Sequence, residues 1–294
     1  MQHLISRRTL LRCGAGAAAA AFATRFEPLL AAPESRWFQI GACDWNLGRR
    51  ANPDSFRLAK EIGLDGVQIS MGVLGGANTT DPEVRRRYRE ATAETGLEIA
   101  SLAIPEMNQV PLKSDPKAAE WLARSIDVCK DLGLGIVMPA CFHKGDLDMG
   151  NTAEIDHLVG VLQEVAPAAE KAGVVIGLES YLSAADNLKL IDRVGSPAMS
   201  VYYDVGNSTD KGYDILAEIR ELGRRGLICQ LHAKDGGHRL GEGRIDFRKV
   251  REALDDAGYS GWIVIEAAAP NGLMVDYPHY AAFLRDIFPE KPAG

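Results

Sequence analysis

Short apolar runs alternate with longer amphipathic stretches along most of the chain. Eight runs read as strands: 37–41, 66–70, 98–103, 135–139, 174–179, 199–204, 228–232 and 262–266. They are nearly continuous in Val, Ile, Leu and small residues, as strands buried on both faces must be. Between them, apolar residues recur at helical spacing, as from Ala118 to Asp131 and from Thr152 to Lys171. Ser114-Asp115-Pro116 is a helix-start signal, and Gly63, Gly96, Gly133 and Gly173 stand where helices should stop before the next strand. Strands and helices that alternate in units of about thirty residues predict a single (β/α)8 barrel. An open doubly wound sheet would call for a glycine-rich fingerprint after its first strand, and Gly41-Ala42-Cys43-Asp44 lacks one.

The first thirty or so residues break this pattern. Ser6-Arg7-Arg8-Thr9-Leu10-Leu11 followed by an Ala-rich apolar stretch reads as a twin-arginine export signal. The stretch is too short for a permanent membrane span. The expected organisation is therefore a Tat signal over 1–32, cut after Ala23 or near Ala32, and a barrel over 33–294, periplasmic or secreted. The whole chain carries 33 Lys+Arg against 40 Asp+Glu, a net charge of −7. Loss of 1–32 removes four Arg and one Glu and makes the remainder more acidic still. No basic footprint for nucleic acid is visible. Cys43, Cys129, Cys141 and Cys229 show no zinc-knuckle spacing and read as buried free thiols.

The chemistry lies where strands finish, because that is the active face of a barrel. Strands five to eight finish on Glu179, Asp204, His232 and Glu266. Three carboxylates converging at the edge of an apolar core repel one another unless a cation intervenes. A divalent ion held by three carboxylate oxygens and one imidazole resolves the conflict, and this mixed donor set suits Mn²⁺, Mg²⁺ or Co²⁺ better than a structural zinc.

Gly177-Leu178-Glu179, Tyr203-Asp204-Val205-Gly206-Asn207, Leu231-His232-Ala233-Lys234-Asp235, Gly241-Glu242-Gly243-Arg244-Ile245-Asp246-Phe247 and Ile265-Glu266 occur in that order. The series resembles the xylose isomerase-like barrels over about residues 36–290, and within them the ketose 3-epimerase type of sugar and sugar-phosphate isomerases and epimerases. The resemblance implies one divalent metal, Mn²⁺ first and Mg²⁺, Co²⁺ or Zn²⁺ as alternatives, bound by Glu179, Asp204, His232 and Glu266. It also implies that Glu179 and Glu266 form the acid/base pair. Asn207 stands where such epimerases carry a histidine, and Gln68 where they carry a glutamate; Asn207 and the acidic charge argue against the family's endonuclease branch.

Expected substrate contacts are Gln68, Glu106, His143, Asn207, Lys234 and Arg244, with Asp44, Trp45 and Asn46 walling the pocket. His157 and His238 read as surface residues and Trp121 as a core or interface aromatic. The expected activity is metal-dependent proton abstraction beside a carbonyl, through an enediolate, on an unphosphorylated sugar. An alternative on the same residues is a lyase or hydratase that opens 3-keto glycosides by β-elimination. A non-catalytic periplasmic sugar-binding protein is the alternative of another class, and the intact set of four ligand types speaks against it. The expected partner is a small carbohydrate, with no nucleic acid and no stable membrane insertion after export; assembly as a homo-oligomer is left open.

Overall fold

Aspartate, asparagine or serine opens most of the helices and glycine closes most of them. The computed structural model describes residues 37–290; the export segment read over 1–32 lies outside them. Asp115 accepts a hydrogen bond from the Lys117 N–H and Pro116 follows it, so the third helix starts where its first free N–H groups find a partner. Gly63, Gly96, Gly133 and Gly173 all adopt the left-handed conformation at helix ends, as anticipated.

The strands are β1 (Phe38–Cys43), β2 (Gly66–Ser70), β3 (Glu98–Ile104), β4 (Ile136–Cys141), β5 (Val175–Ser180), β6 (Met199–Asp204), β7 (Ile228–Ala233) and β8 (Gly261–Ile265). They close into one barrel in sequence order, with every neighbouring pair parallel. The helices are α1 (Ser55–Ile62), α2 (Pro82–Thr95), α3 (Pro116–Leu132), α4 (Thr152–Ala172), α5 (Ala184–Val194), α6 (Val205–Asp210), α7 (Ile215–Arg224), α8 (Phe247–Ala257) and α9 (Leu273–Ile287). Apolar faces such as Leu122 and Ile126 of α3 and Leu158 and Leu162 of α4 belong to the same buried cluster as Val137 and Ile176 of the barrel. A second cluster, with Ala103, Met138, Val175, Tyr202 and Cys229, packs separately. Trp121 is buried on α3, whereas His157 and His238 are exposed. All four cysteines of the barrel are free and buried. Among the described residues no helix is long and apolar enough to cross a membrane.

Several boundaries differ from the sequence reading. β1 runs to Cys43 and β4 to Cys141, each past its expected end, while β8 stops at Ile265 and leaves Glu266 just beyond it. Nine α-helices appear among the described residues where eight were expected. The extra one, α6, forms because the Asp204 side chain accepts from the N–H groups of Gly206 and Asn207 and turns the chain into a helix as soon as β6 ends. Two short 3₁₀ turns, Pro105–Asn108 and His143–Gly145, follow β3 and β4.

Asp44 was expected on the pocket wall. It is instead fully buried and ties the loop after β1 to β2. It accepts from Ala51 N (2.8 Å), Ser70 N (2.7 Å) and Ser70 Oγ (2.6 Å), locking the loop after β1 onto the end of β2.

Candidate metal centre and active site

Glu179 is next to last in β5, Asp204 last in β6, His232 next to last in β7, and Glu266 the first residue after β8. Parallel register places Asp204 directly beside His232. One ligand atom from each of the four lies within 4.8 Å of all the others. Within this arc of neighbouring strands the two glutamates are the outermost members.

The aspartate shows how the cluster is prepared. Its Oδ1 accepts from Gly206 N at 2.7 Å and Asn207 N at 2.8 Å. Its Oδ2 is buried without a hydrogen-bond partner and lies 3.8 Å from His232 Nδ1. A buried carboxylate oxygen left without a donor is costly unless a cation meets it. His232 Nδ1 is also 2.8 Å from Glu179 Oε1 and 3.8 Å from Glu266 Oε2, so one nitrogen faces all three acids. Three oxygens and an imidazole nitrogen at this spacing fit a divalent cation.

Two further side chains complete the surround. Trp45 Nε1 donates to Glu266 Oε1 at 3.1 Å, and Lys234 Nζ donates to Glu266 Oε2 at 2.9 Å. Lys234 can approach because Gly206 has no side chain: a Cβ there would lie 2.8 Å from Lys234 Cγ.

The electrostatics separate the acids. Burial pushes Asp204 up to about 7 despite the nearby Lys234, and burial raises Glu179 against the pull of His232. For Glu266, burial also acts upward, but His232 and Lys234 outweigh it and hold the carboxyl below its ordinary value. Burial acts to lower His232, yet Glu179 and Glu266 together raise it.

A cavity of about 420 Å³ lies against this cluster, lined by Glu179 and Glu266 together with Trp45, Arg50, Phe142 and His143. A larger groove of about 670 Å³ runs along α7 and includes none of the four ligand residues.

The remaining anticipated contacts fall in different places. His143 lines the cavity, in a left-handed backbone conformation (φ 53°) that is uncommon outside glycine. Lys234 sits between Glu266 and Asp204. Glu106 is buried with Arg50 at 3.3 Å, and burial raises its carboxyl. Gln68 is fully buried, with its Oε1 2.8 Å from His232 Nε2, so it supports the imidazole from beneath. Asn207 is buried at the start of α6. Arg244 points its exposed guanidinium to Asp210; the loop around it is held by buried Asp235, which accepts from Gly243 N and Arg244 N. Asn46 donates through Nδ2 to the Ala267 carbonyl, beside Glu266.

Sequence reasoning passed over Arg50, Asn108, Gln109 and Lys144, which line the cavity from the segments after β1, β3 and β4. It also passed over Ser101 and Gln230, polar residues inside apolar strands; their isolation in those runs was the available signal.

A closed parallel barrel with a carboxylate–imidazole cluster at the carboxyl ends of its strands defines the class. The family model described as a xylose isomerase-like TIM barrel matches residues 56–287, and the chain belongs to that family. It is 28% identical over 224 residues, 74% of this chain and 82% of the relative, to 2-epi-5-epi-valiolone 7-phosphate 2-epimerase of an Actinoplanes species. It is 25% identical over 232 residues, 72% of this chain and 81% of the relative, to L-ribulose-5-phosphate 3-epimerase of Shigella boydii. Among solved structures it resembles in fold the 3-keto-D-glucoside 4-epimerase of E. coli, with a TM-score of 0.70 and 17% identity over 85% of this chain and 99% of that one.

Proposed function

We propose that this protein is a divalent-metal-dependent carbohydrate epimerase or isomerase that works by proton abstraction beside a carbonyl. The observation that carries the reading is the convergence of Glu179, Asp204, His232 and Glu266 beside a cavity that the two glutamates line, with Asp204 Oδ2 buried and making no hydrogen bond. The curated relatives are sugar-type epimerases, in keeping with it.

Glu179, Asp204, His232 and Glu266 would hold the ion, which would supply Lewis-acid polarisation of the substrate carbonyl. The protein supplies the proton traffic. Glu266, kept ionised by His232 and Lys234, is suited to take the proton from carbon. Glu179, raised by burial, is suited to return one from the other end of the arc. The reverse reaction exchanges these roles. Trp45 fixes one Glu266 oxygen and Lys234 the other, which limits the carboxylate's rotation.

We take the substrate to be unphosphorylated and the mature protein to be exported through the Tat pathway. The twin-arginine segment supports export. The carboxylates of Glu106 beside Arg50 and of Asp210 beside Arg244 offset part of the positive charge of the two guanidiniums, which favours a neutral sugar over a phosphate. Both curated relatives carry a phosphate in the names of their substrates, so the test must separate the two classes.

A second reading, β-elimination of a 3-keto glycoside, draws support from a neighbouring cavity of about 310 Å³ lined by Leu74, Gly75, Gly76 and Glu106. Arg50 and Gln109 line both cavities, which gives an aglycone room beside the reacting ring.

The test is product analysis by NMR for the Mn²⁺-loaded protein on neutral ketoses, ketose phosphates and 3-keto glucosides. Epimers or isomers of neutral sugars support the main reading. Aglycone release with ketoses untouched replaces it with the second. Turnover of phosphates alone overturns the neutral substrate, and no turnover of any of them overturns the enzyme assignment.

A further inference from the structure

A line of buried hydrogen bonds crosses the barrel beneath the four ligand residues. Gln230 Nε2 donates to the Ala100 carbonyl at 2.7 Å, and Ser101 Oγ donates to Gln230 Oε1 at 2.8 Å. Gln68 Nε2 donates to Ser101 Oγ at 3.0 Å, and Gln68 Oε1 lies 2.8 Å from His232 Nε2. The four side chains are between 0 and 1% exposed, so no water competes for these links. β3 and β7 are not neighbours in the barrel, and the Ser101–Gln230 bond joins them through its interior.

Each link has only one workable direction. A backbone carbonyl only accepts, so Gln230 must turn its NH₂ toward Ala100 and present Oε1 to Ser101. Ser101 spends its single proton there and faces Gln68 with a lone pair. Only the Gln68 NH₂ can meet that lone pair, so Gln68 presents its oxygen to the imidazole. Cys43 Sγ, the other group at this junction, donates to the same oxygen at 3.2 Å and lies 3.4 Å from His232 Nε2. An oxygen facing Nε2 requires a proton on Nε2.

We propose that the Ala100 carbonyl, acting through Gln230, Ser101 and Gln68, fixes His232 with its proton on Nε2 and so dedicates Nδ1 to the cation. Nδ1 is the nitrogen that faces Glu179, Asp204 and Glu266. Ser101 and Gln230 are positioning residues: they touch neither the acids nor the imidazole, yet they decide which way Gln68 points. With Ser101 cut out, Gln68 can rotate its amide, the ring can carry its proton on Nδ1, and the cation loses a ligand in that population. Loss of such a support typically weakens metal binding by about 10- to 100-fold.

The inference rests on the quartet as a cation site but needs no turnover to test. Protein labelled with ¹⁵N-histidine is loaded with ¹¹³Cd²⁺, a diamagnetic probe. The expected result is cadmium coupling to Nδ1 of His232 and a slowly exchanging proton on Nε2. Ser101→Ala should stay folded by circular dichroism, lose the protection of the Nε2 proton and bind Cd²⁺ about tenfold more weakly. Ser101→Thr, which keeps the hydroxyl, should restore both. Coupling to Nε2 in the wild type, or a Ser101→Ala protein unchanged in both readouts, overturns the proposal. If Cd²⁺ does not bind the quartet at all, the cation reading itself fails. The Nε2 proton of the metal-free protein then decides the relay alone: protection lost in Ser101→Ala and restored in Ser101→Thr upholds it, and protection unchanged in Ser101→Ala overturns it.

Discussion

Lys234 Nζ lies 2.9 Å from Glu266 Oε2 and 3.7 Å from Asp204 Oδ2, so the acidic cluster carries a built-in ammonium at its edge. Burial acts to lower this lysine, but Asp204 and Glu266 outweigh it and keep the side chain charged. The ammonium offsets part of the repulsion among the carboxylates. It is also a candidate donor to a developing enediolate oxygen beside Glu266.

Replacing it separates these two effects. Lys234→Met should lower kcat by about 10²- to 10³-fold, the usual loss for one donor to a developing oxyanion. It should leave Mn²⁺ affinity equal or tighter, because a like charge beside the cation is gone. Steady-state kinetics and calorimetric Mn²⁺ titration check the pair; weaker Mn²⁺ binding would contradict this role.

A cation that binds only the folded cluster must stabilise the fold. At a hundredfold excess over its Kd, Mn²⁺ should add about 2.7 kcal/mol to unfolding and raise the melting temperature accordingly. Asp204→Asn keeps a side-chain oxygen for the start of α6 but loses the charge, so it should fold and lose most of the Mn²⁺ effect. Thermal scans with Mn²⁺ and with EDTA measure it.

Asp44 makes stability depend on pH. Burial raises its carboxyl to about 6 despite three hydrogen bonds, so the folded state binds this proton more tightly than the unfolded chain does. Its contribution is full below the unfolded value near 4 and is lost as pH rises through about 6. The loss is about 3 kcal/mol at most from this residue. Denaturant melts of the wild type and Asp44→Asn across that window should differ in slope, the variant being flatter. Parallel slopes would contradict the assignment.

Close packing at the barrel wall gives a sharper mutational test. A Cβ on Gly66 would lie 2.3 Å from the Glu98 carbonyl oxygen and 2.6 Å from the Trp262 ring. Gly66→Ala should therefore destabilise by about 1–3 kcal/mol. Chemical denaturation checks it, and a neutral substitution would show that β2 can shift.

Export is tested separately from chemistry. Changing Arg7 and Arg8 together to lysine should retain the protein in the cytoplasm, as read by cell fractionation, while the purified barrel keeps its metal binding. Unchanged export would argue against the Tat reading.

Much of the barrel and the four residues of the carboxylate–imidazole cluster were legible because both signals are local. Buried parallel strands are continuous apolar runs, and one residue of the cluster lies in the last two positions of each of β5, β6 and β7, with Glu266 just after β8. What escaped depends on contacts between distant segments. Asp44 reads as a polar loop residue until Ser70, 26 positions on, is seen to bind it. Arg50 acquires a role only beside Glu106, and Gln68 turns away from the cavity because His232 lies 164 positions later in the chain. The helix after β6 escaped because one carboxylate oxygen caps it while the other faces the ligand cluster.

The most direct test of the central claim is solvent deuterium incorporation during turnover in D₂O. The wild type is compared with Mn²⁺, after metal stripping, and as Glu266→Gln with Mn²⁺. The account predicts deuterium at the carbon next to the carbonyl only for the Mn²⁺-loaded wild type, with the stripped protein recovering on readdition. Undiminished exchange in the stripped protein or in Glu266→Gln would contradict it.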